Sequence, residues 1–134
     1  MLSHFSGNLE KASVLVVDDD NPSLVLFNDV LESFGISVHM ASCYNSALHH
    51  LKNHDCSLII LDLKLKGEKG GLEIAREIVA MKKDVKILAI TAMATEQLKK
   101  SALKSGCDEV LFKPVSPAEL LRKVSFWLNN NNNN

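Results

Sequence analysis

Asp18, Asp19 and Asp20 follow directly on the apolar run Val14 to Val17, and at that junction the chain is equipped for chemistry. A short β-branched run is the pattern of a strand covered on both faces. Three acids at its end must therefore lie where the strand leaves the core. Adjacent carboxylates raise one another's cost of ionisation. A hard dication that takes oxygen ligands offsets that cost, and Mg²⁺ is the ordinary candidate. Further reactive groups end other apolar runs: Asp62 follows Leu58 to Leu61, Thr91 follows Val85 to Ile90, and Lys113 follows Val110 to Phe112.

The elements that must position these groups alternate along the chain. Short apolar runs at Val14 to Val17, Ile36 to Ala41, Leu58 to Leu61, Val85 to Ile90 and Val110 to Phe112 read as strands. Amphipathic stretches lie between them. In the first, Asn21 is expected as the cap and Pro22 as the first helical residue. Leu24, Phe27, Val30, Leu31 and Phe34 carry its apolar stripe to a stop at Gly35. Ala47, Leu48 and Leu51 mark a second helix, and Leu72, Ala75, Ile78 and Val79 a third. A fourth starts near Thr95 and ends at Gly106, a left-handed stop. The last opens on the capping box Ser116-Pro117-Ala118-Glu119 and carries Leu120, Leu121, Val124, Trp127 and Leu128 on its apolar face. Strands alternating with helices imply an α/β fold, a doubly wound parallel sheet with helices on both faces. In the flavodoxin-like (βα)5 order 2-1-3-4-5, strands one and three flank the switch point beyond their C-terminal ends. Four of the five strands then deliver an ionic or hydroxyl group to one edge, which stability alone does not require.

The whole chain sets bounds on function. Its 134 residues fit one domain, expected over residues 13–128 between a polar lead-in at 1–12 and a disordered asparagine tail at 129–134. The starting methionine and lead-in favour a reading frame that begins here. An apolar share of 46% is too high for disorder, and a net charge of −1 gives no pull toward nucleic acid or an anionic membrane. The three scattered cysteines, Cys43, Cys56 and Cys107, read as reduced thiols. No apolar stretch approaches ~18 residues, so a cytoplasmic protein is expected.

Taken together, V-V-D-D-D at positions 16 to 20, L-I-I-L-D at 58 to 62, A-I-T-A at 89 to 92 and L-F-K-P at 111 to 114 resemble the receiver domain of two-component response regulators. The resemblance spans roughly Ser13 to Leu128. It implies that Asp62 is the phosphoacceptor, charged from a phosphohistidine on a histidine kinase or histidine phosphotransfer protein. It further implies that Asp19, Asp62 and the Lys64 carbonyl hold Mg²⁺ directly, with Asp18 acting mainly through a water. Lys113 would pair with a phosphoryl oxygen, Thr91 would bond the attached group, and the Lys113-Pro114 bond would be cis. Such a protein is a signalling switch rather than an enzyme with turnover. It would act on a downstream effector protein without contacting nucleic acid or membrane, with the fourth helix, fifth strand and fifth helix as docking or dimer face. Asp20 is expected to serve the helix that follows it.

Some positions depart from that family. Val110 stands where an aromatic is usual, and Lys66 where a proline is usual. Lys64 and Met93 hold the positions that tune attack by water. Neither is an acid or amide, so slow self-dephosphorylation is expected. Two other functions fit parts of the pattern. An aspartate-nucleophile phosphatase of the haloacid dehalogenase type would attack through Asp18 with Asp20 as acid/base, but leaves Asp62 without a role. A phosphate-independent pseudo-receiver would fit Val110 and Lys66, but not the intact acidic set. His50 and His54, four apart on the second helix, have the spacing of a metal clamp, although exposed imidazoles are the far more ordinary explanation. Lys99, Lys100 and Lys104 form a basic patch on the fourth helix, either solvated or part of a docking face.

Overall fold

The computed structural model describes residues 12–132 except positions 66 and 68. Five parallel strands, β1 (Ser13–Val17), β2 (Ser37–Ala41), β3 (Leu58–Asp62), β4 (Lys86–Thr91) and β5 (Glu109–Phe112), form one sheet in the order β2-β1-β3-β4-β5. Helices α1 (Asn21–Glu32), α2 (Tyr44–Asn53), α3 (Gly71–Ala80), α4 (Glu96–Ser105) and α5 (Pro117–Asn132) connect and follow them. The period-2 alternation of strand side chains divides the core into two layers. Val14, Val16, Leu58, Ile60, Leu88, Ile90 and Leu111 face Leu24, Phe27 and Leu31 of α1 and Leu120, Val124 and Leu128 of α5. Leu15, Val17, Ile59, Leu61, Ile87, Ala89 and Val110 face α2, α3 and α4. Every residue of β3 is buried, as befits the central strand, whereas the edge strand β2 buries only Ala41. Each fully buried Leu or Ile contributes roughly 1.5–3 kcal/mol, which fixes the register of the strand ends that carry the site.

Several expectations need correcting in detail. Asp20, not Asn21, caps α1: its Oδ2 accepts from the Ser23 N–H at 3.1 Å and from the Ser23 hydroxyl at 2.7 Å. A carboxylate one residue earlier reaches the open N–H groups of the first turn, which matches the helix role expected of Asp20. Val79 is 57% exposed, and Ile74 takes its place on the buried face of α3 beside Ala75 and Ile78. Ala12 belongs to the core and not to the lead-in, because its carbonyl accepts from Ser37 and its side chain is buried. The rest of the lead-in lies outside the described residues. Helix α5 runs through Asn132, into the stretch expected to be disordered. A helix already nucleated and docked propagates at small cost per residue, even through asparagine. Other punctuation is as expected: Thr95 caps α4, Gly106 ends it at φ +116°, and the Ser116 hydroxyl accepts from Glu119 N–H at 3.1 Å.

Candidate phosphoryl and metal site

The parallel sheet brings the C-terminal ends of β1, β3, β4 and β5 to one edge, and four candidate groups meet there. Asp18 is 1% exposed, Asp62 7% and Thr91 1%, while Lys113 is partly buried above them. The Lys113 ammonium lies 3.0 Å from Asp18 Oδ2 and 3.4 Å from Asp62 Oδ2. Its backbone N–H donates to the Thr91 carbonyl at 2.8 Å, which ties the start of the β5–α5 turn to the end of β4. The Lys113-Pro114 bond is cis, as expected.

Each aspartate oxygen has a defined neighbour. Asp62 Oδ1 accepts from the Lys64 N–H at 3.0 Å, leaving Oδ2 toward Lys113. Asp18 is engaged at both oxygens, Oδ1 by the Asp20 N–H at 2.9 Å and Oδ2 by Lys113. The Thr91 hydroxyl oxygen accepts from the Met93 N–H at 3.0 Å, so its own proton is left to donate toward the cleft. Asp19, Asp20, Asp62, Lys64, Thr91, Ala92, Met93 and Lys113 line this cleft, of about 450 Å³.

Electrostatics follow from burial. Desolvation pushes the Asp62 carboxyl up to about 6; the Lys64 N–H opposes the rise and Asp18 adds to it. Burial by itself would lower Lys113, but the hydrogen bond to Asp18 and the charges of Asp62 and Asp18 outweigh it and hold the ammonium above its ordinary value. Asp18, Asp19 and Asp62 each offer an oxygen within 4.8 Å of the others. Ligand oxygens around one octahedral Mg²⁺ stand about 3–4 Å apart, so this donor set fits such an ion with small side-chain adjustments. Lys64 supplies its N–H to Asp62 and lines the same cleft.

Two contacts that hold the site's strands and helices in place were not legible as motifs. Gly71, the first residue of α3, is packed so closely on the end of β3 that a Cβ there would lie 2.5 Å from the Asp62 carbonyl oxygen and 2.7 Å from Leu63 Cα. Asp108 accepts from the Ile87 N–H at 2.7 Å while its own N–H donates to the Ile87 carbonyl at 2.8 Å, locking the turn before β5 onto β4. Of the positions that depart from the resembled family, Val110 is a buried core residue; the aromatic two residues on, Phe112, is 38% exposed and paired in register with Thr91. Lys66 lies outside the described residues.

Comparison with known proteins agrees with this geometry. The chain is 33% identical over 113 residues to the phosphate regulon transcriptional regulatory protein PhoB of Klebsiella pneumoniae, covering 83% of this chain and 49% of that protein. It is 34% identical over 118 residues to an uncharacterised 14.6 kDa protein of Leptolyngbya boryana, covering 87% of this chain and 89% of that protein. The chain thus spans about half the length of its PhoB relatives. Those relatives are named as transcriptional regulators, so the expected absence of nucleic acid among the partners finds no support. The crystal structure of a CheY-like response regulator receiver domain protein from Methanospirillum hungatei superposes with a TM-score of 0.86 at 27% identity, covering 91% of this chain and 97% of that one. A receiver domain of a Luxo repressor protein from Vibrio parahaemolyticus shares the fold, with a TM-score of 0.85 at 21% identity over 90% of this chain and 92% of that one. Among the described residues no helix is long and apolar enough to cross a membrane. The pattern of the family described as response regulator receiver domain matches residues 14–125, and the chain belongs to that family of two-component signalling domains.

Proposed function

We propose that this receiver accepts a phosphoryl group from a phosphohistidine onto Asp62, with Mg²⁺ held directly by Asp19, Asp62 and the Lys64 carbonyl and mainly through a water by Asp18, and signals through a protein–protein surface. The observation that carries this reading is the asymmetric holding of Asp62. One oxygen is fixed by the Lys64 N–H, and the other faces the cleft beside the Lys113 ammonium. An Asp62 oxygen would attack phosphorus in line as the P–N bond to the donor imidazole breaks, giving an acyl phosphate. Bound Mg²⁺ would supply neutralisation of charge on the phosphoryl oxygens. Lys113 would exchange part of its contact with Asp62 for a phosphoryl oxygen, and the Thr91 hydroxyl would donate to another. Asp18 would keep Lys113 aimed at the cleft. No turnover on a metabolite is involved. Exposed Leu103 on α4, Phe112 on β5 and Phe126 on α5 support these elements as the docking or dimer face.

The phosphatase reading requires Asp18 as nucleophile, yet Asp18 is buried with both oxygens engaged. Phosphorylation with acetyl phosphate or a phospho-kinase in Mg²⁺, followed by mapping of the acyl phosphate, discriminates. Label on Asp62 that is lost in Asp62→Asn is expected. Label on Asp18 would establish the phosphatase, and no response to beryllofluoride with Mg²⁺ would establish a pseudo-receiver. Because Lys64 and Met93 cannot orient water as an acid or amide does, the acyl phosphate is expected to decay slowly. Substituting Met93→Glu or Lys64→Glu should speed its loss.

A further inference from the structure

On the far side of the sheet from α1 and α5, three imidazoles from two elements meet. His50, in the last turn of α2, and His54, the extended residue that caps its C-terminus, have ring centroids 4.7 Å apart. His39, on the edge strand β2, lies 4.8 Å from His50 and 6.2 Å from His54. The sequence pointed only to the i,i+4 pair; the third ring comes from another element. We propose that His39, His50 and His54 form a site for a borderline transition-metal dication of the Zn²⁺ class. Imidazoles on one tetrahedral zinc, with Zn–N of about 2.0–2.1 Å, have ring centroids roughly 5 Å apart, close to the two spacings that His50 makes and shorter than the 6.2 Å between His39 and His54. His50 Nε2 is buried and has no hydrogen-bond partner in the fold, an orphaned ligand atom that a metal would satisfy. His54 now stacks on both other rings and His39 is tilted against His50, so the nitrogens do not yet converge, but His39 and His54 are exposed and can turn about their side-chain torsions without disturbing the core. The site lies on the C-terminal turn of α2, where the helix dipole favours a cation. Three nitrogens leave a fourth position open to water or to a ligand from a partner. Lys83, paired with Asp55 at 3.5 Å, is a cation whose charge acts on His50 and opposes binding. An all-imidazole donor set selects against Mg²⁺, so this site and the aspartate cleft would be filled independently.

Isothermal titration of the full chain with Zn²⁺, in Mg²⁺ sufficient to occupy the carboxylates, tests this, with the histidine ring resonances followed in parallel. One equivalent is expected to bind with a micromolar dissociation constant and to shift the rings of His39, His50 and His54 but not His49. His39→Gln and His54→Gln, both at exposed positions, should each weaken binding by about tenfold or more while leaving the melting temperature of the metal-free protein unchanged. Cys43→Ser, which removes the exposed thiol, should leave binding unaltered. The proposal is overturned by affinity weaker than about 100 µM, by binding that the two histidine substitutions do not change, or by binding that Cys43→Ser abolishes.

Discussion

Asp62 carries a cost that the fold accepts for the sake of its position. Its carboxyl rises from an ordinary 3.8 to about 6 because burial penalises the charge, with Asp18 nearby and only partial relief from Lys64. In this raised-pKa case the group's contribution to stability is fully present below pH 3.8 and is lost as pH rises through about 6. Asp62→Asn removes the titration. In the absence of Mg²⁺ it is expected to be more stable than the wild type at pH 7–8, by on the order of 3 kcal/mol at most. That advantage should shrink toward zero near pH 4. Urea midpoints across pH 4–8 check this, and an advantage independent of pH would show that ionisation is not its source. Lys113 offsets part of the same cost by touching both aspartates. Lys113→Met should abolish phosphotransfer yet tighten Mg²⁺ several-fold by calorimetry, since a competing cation has been removed. Weaker Mg²⁺ binding in that variant would mean that Lys113 orders the carboxylates more than it competes with the metal.

At the scale of elements, strand ends were legible and their packing was not. Apolar runs of three to six residues ending in Asp18, Asp62, Thr91 and Lys113 announce their own register, because a strand covered on both faces cannot carry those groups inside. The contacts that place them join residues far apart in the chain. Lys113 reaches Asp18 across a separation of 95 positions and Asp108 reaches Ile87 across 21. No local pattern encodes such pairs, nor the third histidine on β2. Gly71 is the instructive case: a glycine after a loop looks like a turn residue, whereas its role is to let α3 approach the backbone of β3. Gly71→Ala must push against the Asp62 carbonyl and Leu63 Cα, both backbone, so the strand end itself has to shift. A loss of roughly 1–3 kcal/mol in stability is expected, together with weaker Mg²⁺ binding and slower phosphorylation of Asp62. Gly70→Ala is the control, since a Cβ there comes no nearer than 3.4 Å to the Leu63 carbonyl oxygen. Equal effects of the two substitutions would remove the close-approach explanation.

For the molecule as a whole, net charge is −1, so long-range repulsion is not what limits stability; the electrostatic stress is concentrated at one end of the sheet. A ligand that binds only the folded cluster stabilises by mass action, and at ten times its dissociation constant the gain is about 1.4 kcal/mol. For a domain of this size that is a rise of a few degrees in melting temperature. The gain depends on pH through Asp62. Below about 6 its carboxyl is mostly protonated in the free protein, and Mg²⁺ must displace that proton to bind. The same Mg²⁺ concentration is therefore expected to raise the melting temperature more at pH 7.5 than at pH 5. Asp62→Asn should lose both most of the shift and its dependence on pH. Added Mg²⁺ should also narrow the stability gap between wild type and Asp62→Asn at neutral pH, because the ion offsets the repulsion that the substitution removes. Thermal melts of the two proteins at both pH values, with and without Mg²⁺, contain the full set of comparisons. Shifts of equal size at pH 5 and 7.5 in the wild type would mean that the ion does not compete with a proton on Asp62, and the metal site would then have to be drawn without it.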